Sequence, residues 1–96
     1  MSHTVLVELS CVAGTGPEYL RTILPMLKDT RAFEGCESVE AYTDEDQPDV
    51  VFLWEKWASR ERQEAYLAWR IETGTLAEMD RFMASDPRFV QLAQHD

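Results

Sequence analysis

Apolar and polar positions along this chain follow two periods. Over residues 4–12, TVLVELSCV, Val5, Val7, Leu9 and Cys11 alternate with Thr4, Glu8 and Ser10, which predicts a strand with one mostly apolar face. AGTGP interrupts it, and Pro17 suits the first turn of a helix, where a missing N–H costs nothing. Leu20, Ile23, Leu24 and Leu27 then recur at helical spacing, a stripe facing a core. Pro25 falls on the opposite side, so the pattern predicts a kinked helix ending at Glu34-Gly35. CESVEAYT (36–43) and VVFLWEKW (50–57) read as two strands joined through an acidic turn. Ser59 is an expected N-cap for a helix that Gly74 stops near Thr73. Thr75 to Glu78 has the form of a capping box opening a short helix with Leu76, Met79, Phe82 and Met83 inward. After SDP, residues 88–94 predict a fourth strand.

The order β-α-β-β-α-(α)-β is the ferredoxin-like, split βαβ arrangement of the α+β class. It predicts one domain over 1–96, with a four-stranded antiparallel sheet and helices on one face. In this topology the third strand separates the first two, which keeps Cys11 and Cys36 too far apart to bridge. The open face needs cover. Trp54 and Trp57 lie three apart on one strand and so emerge on opposite faces. An indole on the open face, beside Val, Ala and Tyr, makes an apolar patch of the kind that marks association. The expectation is a homodimer with the two sheets packed face to face.

Composition narrows the function. Nine Lys/Arg against eighteen Asp/Glu give a formal charge of −9, which argues against a nucleic-acid partner. Asp44, Glu45, Asp46 and Asp49 read as a solvated turn. The longest apolar run, residues 50–54, is far too short to span a membrane, and the N-terminus has no signal-peptide pattern, so a cytoplasmic protein is expected. The only histidines, His3 and His95, lie at the chain ends and are not read as metal ligands.

All three tryptophans fall within residues 51–70, with Tyr66 among them. Tyr66, Trp69 and Arg70 stand at i, i+3, i+4 and share a helix side, with Arg62 one turn earlier. Such a strip is either a core face with snorkelling arginines or the wall of a cavity for a flat aromatic ligand.

VELSCVAGTGPEYL and FEGCESVEAYTDEDQPDVVFLWEKWASRERQEAYL, with the E-x-W-x-S that leads into a helix, resemble the antibiotic biosynthesis monooxygenase family of the dimeric α+β barrel group. The resemblance runs through nearly the whole chain. It implies sheet-to-sheet dimers and a monooxygenase that oxidises a polycyclic aromatic or quinol-type molecule with neither metal nor organic cofactor. An electron-rich phenolate can itself reduce O₂, so the protein need only bind, deprotonate and shield it. On that reading Tyr66 and Arg70 are the catalytic candidates. Trp57, Trp54, Trp69, Tyr42 and Phe82 form the substrate wall, and Glu8 or Glu55 supplies a base if burial raises its pKa. The chain departs from the family in three ways. Tyr66 stands where many members carry a histidine, there is no asparagine, and the haem-ligating histidine of haem-cleaving relatives falls at Leu76. Those departures leave two alternatives, a binding or accessory module that kept the cavity without the chemistry, and a purely structural dimerisation domain.

Overall fold

Alternating sequence becomes sheet. In the computed structural model, which describes residues 2–96, the strands are β1 (His3–Ser10), β2 (Cys36–Thr43), β3 (Val50–Trp57) and β4 (Arg88–Leu92). They form one antiparallel sheet in the order β2-β3-β1-β4. β3 separates β1 from β2, and Cys11 and Cys36 are free thiols. β1 closes earlier than its alternation suggests. Cys11 makes only an isolated bridge to Met83, and its N–H donates to the Asp49 carbonyl as the chain turns away.

Register fixes which side chains share a face. Val5 pairs with Glu55 and Val7 with Leu53, while Leu6 pairs with Trp54 and Glu8 with Phe52. The first set lies under the helices, where Val5, Val7, Leu9, Val51 and Trp57 form the core with Tyr19, Ile23 and Phe82. The second set lies on the helix-free face.

The helices depart from the sequence pattern in an instructive way. The expected single kinked helix is α1 (Gly16–Ile23), a 3-10 turn over Leu24–Met26, and α2 (Leu27–Ala32). Pro25 has no N–H to give an α-helical ladder, and a tighter turn of three residues shifts the phase of everything before it. The buried stripe is therefore Tyr19, Ile23, Leu27 and Thr30, and Leu24 is turned out, 47% exposed. The turn before α1 is held against the far end of the β2–β3 hairpin. Asp49 accepts from the Gly14 and Gly16 N–H groups at 2.9 and 2.8 Å, which holds its carboxyl below the usual range. A Cβ at Gly16 would lie 2.4 Å from the Pro48 carbonyl oxygen, so only glycine fits there. Asp49 is thus a structural part of the acidic turn and not only a solvated charge.

α3 (Arg60–Glu72) starts as expected, with the Ser59 hydroxyl accepting from the Arg62 N–H at 3.2 Å. It ends at Gly74, whose φ is +76°. That same glycine is the N-cap of α4 (Thr75–Met79), so the expected capping box does not form. Thr75 lies inside the helix, and its hydroxyl shares a hydrogen bond with that of Thr73. A 3-10 turn, Asp80–Phe82, follows. It is stitched to the end of β1 by Val12 N–H to the Phe82 carbonyl and Ala84 N–H to the Ser10 carbonyl. Among the described residues no helix is long and apolar enough to cross a membrane.

Candidate functional site

Between the sheet and the helices lies a cavity of about 300 Å³. Val7, Leu9, Leu53 and Glu55 make its floor, and Ile23, Leu27 and Thr30 one wall. Tyr66, Leu67 and Arg70 of α3 make the other. Thr75, Leu76 and Met79 of α4 border the mouth, with Met83 and Phe89. The lining is mostly apolar, with Tyr19 and Phe89 among its aliphatic side chains and a few polar groups, Asp80 at the rim included, set into it.

Two of these are charged residues taken almost wholly out of water. Arg70 is 5% exposed and Glu55 4%. Arg70 reaches across from α3 to the α1–α2 corner. Its Nε donates to the Tyr66 hydroxyl at 2.7 Å, and its Nη2 to the Met26 carbonyl at 3.0 Å and the Thr30 hydroxyl at 3.3 Å. Tyr66 Oη and Thr30 Oγ1 are themselves 2.6 Å apart. The guanidinium also stacks over Trp69, 4.7 Å from the ring centroid, where the π-face attracts a cation. Glu55 projects from the middle of β3. Burial pushes its carboxyl pKa up, and the Trp57 indole N–H, donating to Oε1 at 3.0 Å, opposes that shift.

The sequence-expected residues divide sharply. Tyr66 and Arg70 both border the cavity. Of the two candidate bases, Glu55 meets it, while Glu8 lies on the opposite face beside Arg88, 3.7 Å away. The expected aromatic wall is a correction, since Trp54, Tyr42, Trp57, Trp69 and Phe82 are all absent from the lining. Strand alternation sends Trp54 and Tyr42 to the helix-free face, where they flank an open depression with Leu6, Glu40 and Phe52. Trp57 is wholly buried behind Tyr66, with ring centroids 5.1 Å apart. Trp69 stacks on Phe33, and Phe82 on Tyr19. These rings support the wall from behind. Arg62 is drawn off to Glu34, 3.1 Å away at the surface. Leu76, at the family's haem-ligand position, is 39% exposed at the mouth.

Thr30 and the Met26 carbonyl escape the sequence reading. A signal was available, because Thr30 is the polar member of the stripe Ile23, Leu27, Thr30. A lone hydroxyl on a buried helix face needs a partner.

The arrangement offers a buried carboxyl and a buried cation on one mostly apolar space, which suits deprotonation of a substrate and stabilisation of the resulting oxyanion. Among the described residues no three His, Cys, Asp or Glu side chains group as a metal site.

Comparison with solved structures shows the same fold. An antibiotic biosynthesis monooxygenase superimposes with a TM-score of 0.85 at 16% identity, each chain covered in full. The Mycobacterium tuberculosis protein Rv0793 gives 0.82 at 22% identity, covering 100% of this chain and 97% of that one. A protein of Methanosarcina mazei Go1 gives 0.86 at 10% identity, over 99% and 94% of the two chains. At these identities the likeness is one of fold alone. No curated protein matches. The sequence profile of the antibiotic biosynthesis monooxygenases, however, matches residues 2–73, from β1 through the end of α3. The chain belongs to the antibiotic biosynthesis monooxygenase family.

Proposed function

We propose that the protein is a cofactor-independent monooxygenase that oxidises a small polycyclic aromatic or quinol-type molecule in the cytoplasm. The observation that carries this reading is the presence of Glu55 and Arg70, both buried, on one mostly apolar cavity. At about 300 Å³ the cavity is at the low end of ligand pockets, which run from roughly 300 to 1,000 Å³, so a compact ligand of few fused rings fits best.

For an anthrone-like methylene the chemistry balances without a further reductant, R₂CH₂ + O₂ → R₂C=O + H₂O. Glu55 takes a C–H proton, and the charge moves onto the conjugated oxygen beside the Arg70–Tyr66 pair. The carbanion gives an electron to O₂, the two radicals combine into a C–O bond, and the peroxide receives the proton from Glu55. Glu55 then removes the second C–H proton as the O–O bond breaks, and that proton joins the departing hydroxide as water.

Oxygen uptake with a panel of anthrones and hydroquinones, without added metal or flavin, tests the proposal. Wild type should consume oxygen, Glu55→Gln should lose at least 100-fold in rate, within the range general-base catalysis contributes, and Tyr66→Phe should be slowed less. No uptake by wild type with any compound would refute it.

One observation favours a second reading, a binding module without turnover. The Tyr66 hydroxyl and two of the three Arg70 nitrogens are already occupied within the protein. Calorimetric binding of the same compounds without oxygen uptake would select it. Under either reading the half-exposed Leu6, Tyr42, Phe52 and Trp54 support a homodimer built by pairing the helix-free faces.

A further inference from the structure

Arg70 raises a question that the oxidation chemistry does not answer. A guanidinium keeps its charge in proteins, and a buried one ordinarily meets a carboxylate. Arg70 forms no ion pair among the described residues. Its partners are neutral, a phenol, a hydroxyl and a backbone carbonyl. They satisfy Nε and Nη2, while Nη1 has no hydrogen bond among the described residues, on a side chain that borders the cavity. Two carboxyls line the cavity, and neither pairs with Arg70: Asp80 is exposed at the mouth, and Glu55, whose pKa burial raises, lies on the sheet side. Glu55 Oε1 is held by the Trp57 N–H.

We infer that the cavity selects a ligand that is already a monoanion when it binds, an arene bearing a carboxylate or ionised hydroxyl whose oxygen takes the open Nη1 edge of Arg70. The inference rests on the proposed function for its choice of cavity and deepens it by naming the substrate's charge. The Tyr66–Thr30–Met26 bracket fixes the plane of the fork, so Nη1 is the one edge left for an incoming oxyanion. A neutral arene would leave that cation buried and unmatched, whereas an oxyanion supplies its missing partner through a charge-assisted bond. In this role Arg70 sets specificity, and Tyr66 and Thr30 are positioning residues that hold its fork.

The test uses two near-isosteric probes, 2-naphthoate and 2-naphthamide, titrated calorimetrically into the full chain. Neither has an oxidisable methylene, so the measurement reads the subsite whether or not the protein turns over. Failure of oxygen uptake leaves this result standing, and failure here leaves oxygen uptake standing. Wild type should bind naphthoate at least tenfold more tightly than naphthamide. Arg70→Gln should abolish that preference while holding the amide within threefold of wild type. If Arg70→Gln does not fold, Arg70→Lys, which keeps the charge but not the fork, should still favour naphthoate. Equal affinities in wild type, a preference for the amide, or no binding of either probe overturns the inference. So does a preference that survives in folded Arg70→Gln or vanishes in folded Arg70→Lys.

Discussion

Removing a single oxygen atom, in Tyr66→Phe, probes the bracket that joins α3 to the α1–α2 corner. The hydroxyl accepts from Arg70 Nε at 2.7 Å and shares a hydrogen with Thr30 at 2.6 Å. A hydrogen bond to a charged donor contributes about 1.5–3 kcal/mol and a neutral one about 1 kcal/mol. Arg70 is 5% exposed, so its Nε cannot simply turn to bulk water, though the cavity gives it some relief. The expected loss is about 2–3 kcal/mol, close to the charged bond alone. For a domain of this size that is a fall of roughly 10–20 °C in Tm. Urea unfolding at fixed protein concentration is the appropriate assay, because any self-association would add a concentration-dependent contribution. A double-mutant cycle with Thr30→Val should return a coupling of about 1 kcal/mol, since the two side chains are in direct contact. A loss below about 0.5 kcal/mol for Tyr66→Phe would show that the bracket does not hold the helices together, and the account of Arg70 as a fixed fork would fail with it.

Three other outcomes follow from the same geometry. Trp57→Ala should cost about 3–5 kcal/mol by urea melts, because the indole is wholly buried against Phe33 and Tyr66, and a loss under about 1 kcal/mol would contradict that packing. Glu55 has its folded pKa raised, so the folded protein keeps this proton to higher pH than the unfolded chain. The stability it contributes is complete below the ordinary carboxylate value and is lost as pH rises through the raised one. Glu55→Gln should flatten that decline in urea midpoints as pH rises above the ordinary carboxylate range, and parallel profiles would refute the assignment. For the proposed homodimer, wild type should sediment as a dimer and Trp54→Lys should shift it toward monomer, and a monomeric wild type or an unchanged variant would refute pairing through the helix-free face.

The sheet was readable because alternation and turn residues agree. β2 and β3 have the predicted limits, since Gly35 and Pro48 bracket them and β-branched or aromatic residues fill them. The errors have local causes. Leu24 was assigned inward by a 3.6-residue period that the 3-10 turn at Pro25 breaks, and Thr75 lost the cap because Gly74 ends one helix and begins the next. At the cavity, helical spacing puts Tyr66 and Arg70 on one side of α3, while alternation alone leaves Glu8 and Glu55 as equal candidates, because it does not say which face of the sheet the helices cover. The supposed aromatic wall was not found, because strand and helix periodicity tell which way a ring points but not whether space or another ring lies beyond it. Trp57 and Trp69 point to the helix side of the molecule and meet Tyr66 and Phe33 instead of a void.

The short helix at the cavity mouth bears on kinetics. α4 has five residues, no side-chain N-cap, and a left-handed glycine before it, while firm backbone anchoring resumes only at Phe82 and Ala84. A local opening of this segment would widen the mouth at far less cost than unfolding the sheet. Guest exchange should accordingly follow the local opening of α4 about Gly74, and substitutions deep in the β-layer that halve the global folding free energy should scarcely alter how fast a molecule enters or escapes.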